Sequence, residues 1–176
     1  MAAIKNTPEP DSPERGVYLP LEEAAWLYQA NQVRPEDLPM TAAQALAAGA
    51  DTPALCELAG LPRHADPRDI RDTFEQVLAE LGIALPDHRL AQRYALRRLA
   101  MRFAAGEAGL AELASDEWLE MEVEAAEEQA FVALLPPCAC CIEYTLGLDE
   151  VAWEAQLRNA ARALVSHPTV GPGIYR

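Results

Sequence analysis

Residues 66–82, DPRDIRDTFEQVLAELG, carry the clearest structural signal in the chain. Asp66 followed by Pro67 is typical of the capping residue and first turn of an α-helix, and Gly82 is typical of the position just after a helix ends. Between them, apolar residues recur three or four positions apart. These residues are Ile70, Phe74, Val77, Leu78 and Leu81. The stretch therefore predicts an amphipathic helix.

The same signals recur on both sides of this stretch, and no segment shows the period of two that is typical of a strand. They predict further helices at about 20–32, 39–49, 53–60, 87–106, 115–135 and 149–166. Leu38 precedes a proline and is expected outside helical geometry. The fold class is therefore all-α, a compact bundle of six to seven short-to-medium helices. Residues 1–16 are expected to form a disordered N-terminal lead-in, residues 17–170 a single helical domain, and residues 171–176 a C-terminal tail.

The overall charge limits the partners that this chain could bind. It has 176 residues, 28 acidic and 14 basic, with a formal net charge of −14. Such a charge argues against unselective binding to nucleic acid or to an anionic membrane, and it favours a basic or neutral partner. No apolar run is long enough for a signal peptide or a membrane span, so a cytoplasmic location is expected.

The charges are strongly separated along the sequence. Residues 63–102 hold eight basic residues, whereas residues 103–157 hold thirteen acidic residues and no basic one. Arginines recur every four positions at Arg89, Arg93 and Arg97. A long helix capped by Ser115 would present a matching acidic face with Glu117, Glu120, Glu124 and Glu127, and would bury Leu119, Val123, Ala126 and Ala130. These arginines form an arginine stripe and these glutamates an acidic stripe. The two stripes could pair within the molecule, or the acidic stripe could bind a basic partner.

These observations predict a non-catalytic protein–protein interaction module, either an immunity-type inhibitor or an adaptor. Its acidic helical face would bind a basic or neutral protein, with Trp118 or Tyr144 as aromatic anchors. No motif calls for a cofactor, and the oligomeric state stays open. The proline-opened helices of residues 38–63, LPMTAAQALAAGADTPALCELAGLPR, resemble a loose set of small helical bacterial proteins, which adds nothing to the functional prediction.

Two alternatives rest on cysteine. Cys138, Cys140 and Cys141 could bind a soft metal ion, with Cys56 or His167 as a fourth ligand, or could form a transient disulfide. Their spacing differs from that of common zinc sites, which use two or more intervening residues and usually a second pair. An enzyme with Cys56 beside His64 is a third hypothesis, which requires the two side chains to meet in a cleft.

Overall fold

The computed structural model describes residues 14–62, 64–114, 118, 120–136, 150–167 and 171–172. Across these ranges the chain is all-α without a β-strand, which confirms the predicted fold class. They contain eight α-helices and one 3-10 helix, one or two helices more than predicted. The elements are α1 (Glu14–Gln29), the 3-10 helix (Pro35–Asp37), α2 (Leu38–Ala47), α3 (Pro53–Gly60), α4 (Pro67–Leu81), α5 (His88–Ala105), α6 (Leu110–Leu113), α7 (Ala126–Val132) and α8 (Glu150–Ser166). Each described helix is too short or too polar to cross a lipid bilayer.

The chain divides into two compact units. The first comprises Met1–Ala25 and Val33–Ala84, and the second comprises Trp26–Gln32 and Leu85–Arg176, so α1 contributes to both. The single domain expected over residues 17–170 stays a prediction.

In the first unit, α2, α3 and α4 pack around a core rich in leucine and alanine. Thr52 Oγ1 accepts a hydrogen bond from the Leu55 amide at 3.3 Å, and Asp66 Oδ1 accepts one from the Arg68 amide at 2.8 Å. The N-cap predicted at Asp66 is thus confirmed, as is the end of α4 at Gly82, which is left-handed with φ 66°. The buried face of α4 also matches the prediction at Ile70, Phe74, Val77 and Leu78.

In the second unit, α5 is the central element, and α6, α7 and α8 follow it in the sequence. Asp87 caps α5 by accepting a hydrogen bond from the Arg89 amide at 2.9 Å, and Gly106 ends the helix with φ 79°. On α8, Trp153, Leu157, Ala161 and Leu164 are all buried and form the side that faces the core. On α5, Leu99 and Phe103 are buried, whereas Met101 is 52% exposed.

Two predictions near prolines are wrong. α1 begins at Glu14 and continues through Pro20, although a proline inside a helix removes one backbone hydrogen bond and crowds the preceding turn. Leu38 has helical dihedrals although it precedes a proline, and its side chain is fully buried. Packing of this leucine therefore outweighs the local preference against helix.

The prediction of one long acidic helix over residues 115–135 is also wrong. The described residues 120–125 are not helical, and α7 begins only at Ala126. Ala126 and Ala130, expected to be buried, are exposed, whereas Glu128 and Phe131 are buried. The predicted N-cap Ser115 and the predicted buried residue Leu119 lie outside the described residues.

Candidate functional site

Arg93 of α5 holds the start of α7 through two glutamates. Its Nε donates to Glu128 Oε1 at 2.7 Å, and its Nη1 donates to Glu124 Oε2 at 2.7 Å. The other carboxylate oxygen of Glu128 accepts hydrogen bonds from the backbone amides of Glu124 and Ala125, each at 3.2 Å. Glu128 thereby satisfies amides at the N-terminus of α7, where a negative charge is also favoured by the helix dipole. The predicted pairing of the two stripes is realised at Arg93 and Glu124.

Burial and hydrogen bonding act in opposite directions on the Glu128 carboxyl. Burial in the second unit raises its pKa, but the hydrogen bonds from Arg93, Ala125 and Glu124 stabilise the carboxylate and the net effect lowers the pKa. Glu128 is therefore ionised at neutral pH although its side chain is only 3% exposed.

The same arrangement recurs at α6. Glu112 Oε1 accepts a hydrogen bond from the Gly109 amide at 3.2 Å, and Glu112 Oε2 lies 2.9 Å from Arg102 Nη1. The amide of Gly109 is the main reason that the pKa of Glu112 is lowered, and Arg102 contributes to the same shift. At the start of both α6 and α7, a glutamate thus accepts hydrogen bonds from the backbone and forms an ion pair with an arginine of α5.

Arg97 has a different role from the one that the arginine stripe suggests. Its guanidinium donates to the carbonyl oxygens of Val165 at 2.5 Å, Leu164 at 3.2 Å and His167. These carbonyls lie at the C-terminus of α8, where the last turn of a helix leaves acceptors without helical partners. Arg97 thus contacts the end of α8, where several backbone carbonyl oxygens accept its hydrogen bonds.

Residues 120–128, EMEVEAAEE, form an acidic segment with five glutamates. Glu122 pairs with Arg89 at 2.8 Å, and both side chains stay more than 60% exposed. Glu124 pairs with Arg93 and is still 65% exposed. Among the described residues, neither Glu120 nor Glu127 lies within ion-pair distance of a basic group. The acidic segment therefore keeps a net negative charge after Arg89 and Arg93 are counted.

An open cleft with a volume of about 400 Å³ borders the acidic segment. Its lining includes Asn31, His88, Arg89, Gln92, Glu120 and Glu122, together with Trp118. A second cleft of about 290 Å³ adjoins it, because Gln32 and Trp118 line both. The sequence offered no signal for the first cleft, since the end of α1 and the start of α5 are far apart in the chain.

The remaining predicted site residues are not gathered at this cleft. Trp118 is 5% exposed and belongs to the core of the second unit, so it offers only a small surface to a ligand. Glu117, Tyr144, Cys138, Cys140 and Cys141 lie outside the described residues.

The cysteine and histidine candidates that the structure does describe stay apart. Cys56 is exposed on α3, and its Sγ lies 4.0 Å from Asp51 Oδ1. His64 is also exposed, and no hydrogen bond joins it to Cys56. Within the described ranges, no group of three or more histidine, cysteine, aspartate or glutamate side chains is placed to hold a metal ion.

The acidic segment and its cleft are the arrangement that geometry and charge single out in the second unit. Comparison of the chain with protein-family models, with curated proteins and with solved structures finds no match.

Proposed function

We propose that this chain is a non-catalytic, cytoplasmic bacterial protein that binds a basic or neutral protein partner on its acidic segment, as an inhibitor or an adaptor. The observation that carries the proposal is the imbalance of charge in residues 120–128. Five carboxylates face only two guanidinium groups, and Glu120 and Glu127 are left without an ion pair among the described residues. A basic partner would relieve this repulsion and would associate faster at low ionic strength.

The internal pairs support this function because they fix the segment in place. Arg93 joins Glu124 and Glu128 to α5, and Arg89 joins Glu122 to the first turn of the same helix. A segment held in this way loses less conformational freedom when a partner docks, which favours affinity. The arginine pairs and the free glutamates therefore have separate roles: the pairs shape the surface and the free glutamates provide its charge.

The test compares two variants of equal charge. In one, Glu120→Gln and Glu127→Gln remove the unpaired carboxylates; in the control, Asp51→Asn and Glu57→Gln remove two exposed carboxylates from the first unit. A partner that copurifies with the tagged chain is identified, purified and titrated calorimetrically against each variant at low and high salt. We expect the first variant to bind about three- to tenfold more weakly at low salt, since each exposed pair contributes about 0.2–1 kcal/mol. The difference should shrink at high salt.

The control variant should bind like the original chain at both salt concentrations. Equal affinity of the Glu120 and Glu127 variant and the original chain at low salt would contradict the proposal, because the unpaired carboxylates would then contribute nothing to recognition.

A further inference from the structure

His88 is fixed in one tautomer by its contact with the end of α1. Its Nδ1 lies 2.7 Å from the backbone oxygen of Gln29. Because a carbonyl oxygen can only accept, Nδ1 must carry the proton and donate it. In the neutral ring, Nε2 is then left as a hydrogen-bond acceptor. The ring that presents this acceptor lines the cleft of the second unit.

The other side chains of the cleft are also rich in acceptors. Glu120 carries an unpaired carboxylate, and Gln92 is a half-buried carboxamide with no hydrogen bond among the described residues. Asn31 adds a second carboxamide at the end of α1, where its φ is 58°. Arg89 is the cation of the cleft, and it is engaged with Glu122 at 2.8 Å. Apart from the His88 ring, the charged groups of the lining are one guanidinium and two carboxylates, which together carry a net charge of −1.

We infer that this cleft binds an arginine side chain of the partner protein, with His88 Nε2, the Glu120 carboxylate and the Gln92 carboxamide oxygen as acceptors. A guanidinium group has five N–H donors and no acceptor, so it complements a lining that offers acceptors. The volume of about 400 Å³ is at the small end of the range for ligand pockets, which suits one side chain. This inference rests on the proposed function, since it names the group with which the partner would enter the acidic surface.

The geometry favours arginine over lysine. The acceptors come from three places, namely the first turn of α5, the next turn of α5 and the acidic segment. A planar guanidinium can donate in several fixed directions at once, whereas an ammonium is a compact point charge. Replacement of arginine by lysine in the partner should therefore weaken binding although the charge is unchanged.

The experiment uses short peptides as probes of the intact chain. Acetyl-Gly-Arg-Gly-amide and its lysine counterpart are titrated into the isotope-labelled chain, and the side-chain amide of Gln92 and the indole N–H of Trp118 are followed by NMR. We expect both signals to shift in a saturable way with the arginine peptide, and the lysine peptide to bind at least about threefold more weakly.

The substitution His88→Asn separates recognition from folding. The amide nitrogen of asparagine can replace Nδ1 as donor to Gln29, but the acceptor Nε2 is lost. We expect this variant to unfold at the same urea concentration as the original chain and to bind the arginine peptide at least about fivefold more weakly. Glu57→Gln, in the first unit, should leave peptide binding unchanged.

Two results would overturn the inference. If the arginine and lysine peptides bind equally and His88→Asn has no effect, the cleft does not recognise a guanidinium, although attraction to the acidic segment would still agree with the proposed function. If neither NMR signal shifts at millimolar arginine peptide, the cleft is not the site. The proposed function is decided separately, by titration of the intact partner against the Glu120 and Glu127 variant.

Discussion

Arg93 and Glu128 form the contact that joins α7 to the central helix of the second unit. Arg93 Nε lies 2.7 Å from Glu128 Oε1, and the two side chains are 22% and 3% exposed. The remaining oxygen of Glu128 binds two backbone amides at the start of α7. One buried carboxylate thus satisfies an arginine and a helix N-terminus together.

Glu128→Gln is expected to destabilise the second unit. The neutral amide weakens the hydrogen bond with Arg93 and places donors opposite the backbone amides, so the free energy of unfolding should fall by about 1.5–3 kcal/mol. Urea denaturation followed by tryptophan fluorescence measures the change. The adjacent substitution Glu127→Gln is the control, since Glu127 is unpaired and its loss should change stability by less than about 0.5 kcal/mol. Equal effects of the two substitutions would contradict the role given to Glu128.

Stability should depend on pH through three glutamates whose pKa values are lowered by folding, namely Glu80, Glu112 and Glu128. A lowered pKa means that the unfolded chain binds more protons, so these groups stabilise the fold above their ordinary pKa of 4.5. This stabilisation is lost as the pH falls below about 4.5 and passes through the pKa values of the folded state. Urea denaturation between pH 7 and pH 3 measures the profile. It should be flatter in Glu128→Gln, and an unchanged profile would contradict the assignment of Glu128.

Local signals in the sequence were sufficient for most helix boundaries. Asp66 caps the helix that its position before Pro67 predicts, and Thr52 and Asp87 cap α3 and α5 in the same way, because an N-cap depends on residues within one turn. The acidic segment could not be predicted in the same way. Its glutamates fit a continuous helix by spacing, and the start of α7 is set instead by Glu128, which is held by an arginine 35 residues earlier.

The candidate site was predictable only in part. The separation of charge identified Arg93 and Glu124, which do pair, since opposite charges on consecutive segments attract wherever geometry allows. It did not identify His88, which forms a hydrogen bond with Gln29, 59 positions earlier in the sequence. It also did not indicate that Arg97 donates hydrogen bonds to the end of α8. Such contacts depend on where the end of one helix lies beside another, which local periodicity does not encode.

Glu80→Gln tests a hydrogen bond between helices in the first unit. The backbone amide of Ala54, at the N-terminus of α3, donates a hydrogen bond to Glu80 Oε2 at 3.0 Å. Gln76 Nε2 donates to the other carboxylate oxygen, Glu80 Oε1, at 3.2 Å. Loss of the carboxylate should weaken this contact and allow the first turn of α3 to open more often. Hydrogen exchange at the Ala54 amide should accelerate in this variant and stay unchanged in the control Glu57→Gln. Unchanged exchange in Glu80→Gln would show that the carboxylate does not hold α3.

Gly171→Ala tests the contact between residue 171 and α5. A Cβ at this position would lie 3.2 Å from two carbon atoms of the Tyr94 ring, closer than an ordinary van der Waals contact. Tyr94 is not free to move away, because its ring packs edge-on against Trp26 with centroids 5.3 Å apart. We therefore expect a loss of about 1 kcal/mol in the free energy of unfolding, at the low end of the range for overpacking. The loss should appear in urea denaturation together with a change in native tryptophan fluorescence.

Gly60→Ala is the matched control for this substitution. A Cβ at Gly60 would meet no atom within 4 Å, and the residue is helical, so alanine should leave stability unchanged or raise it by up to about 1 kcal/mol. If Gly171→Ala were as stable as Gly60→Ala, then Tyr94 and Trp26 would have to move without loss of packing. Residue 171 would in that case contribute nothing to the position of α5 in the second unit.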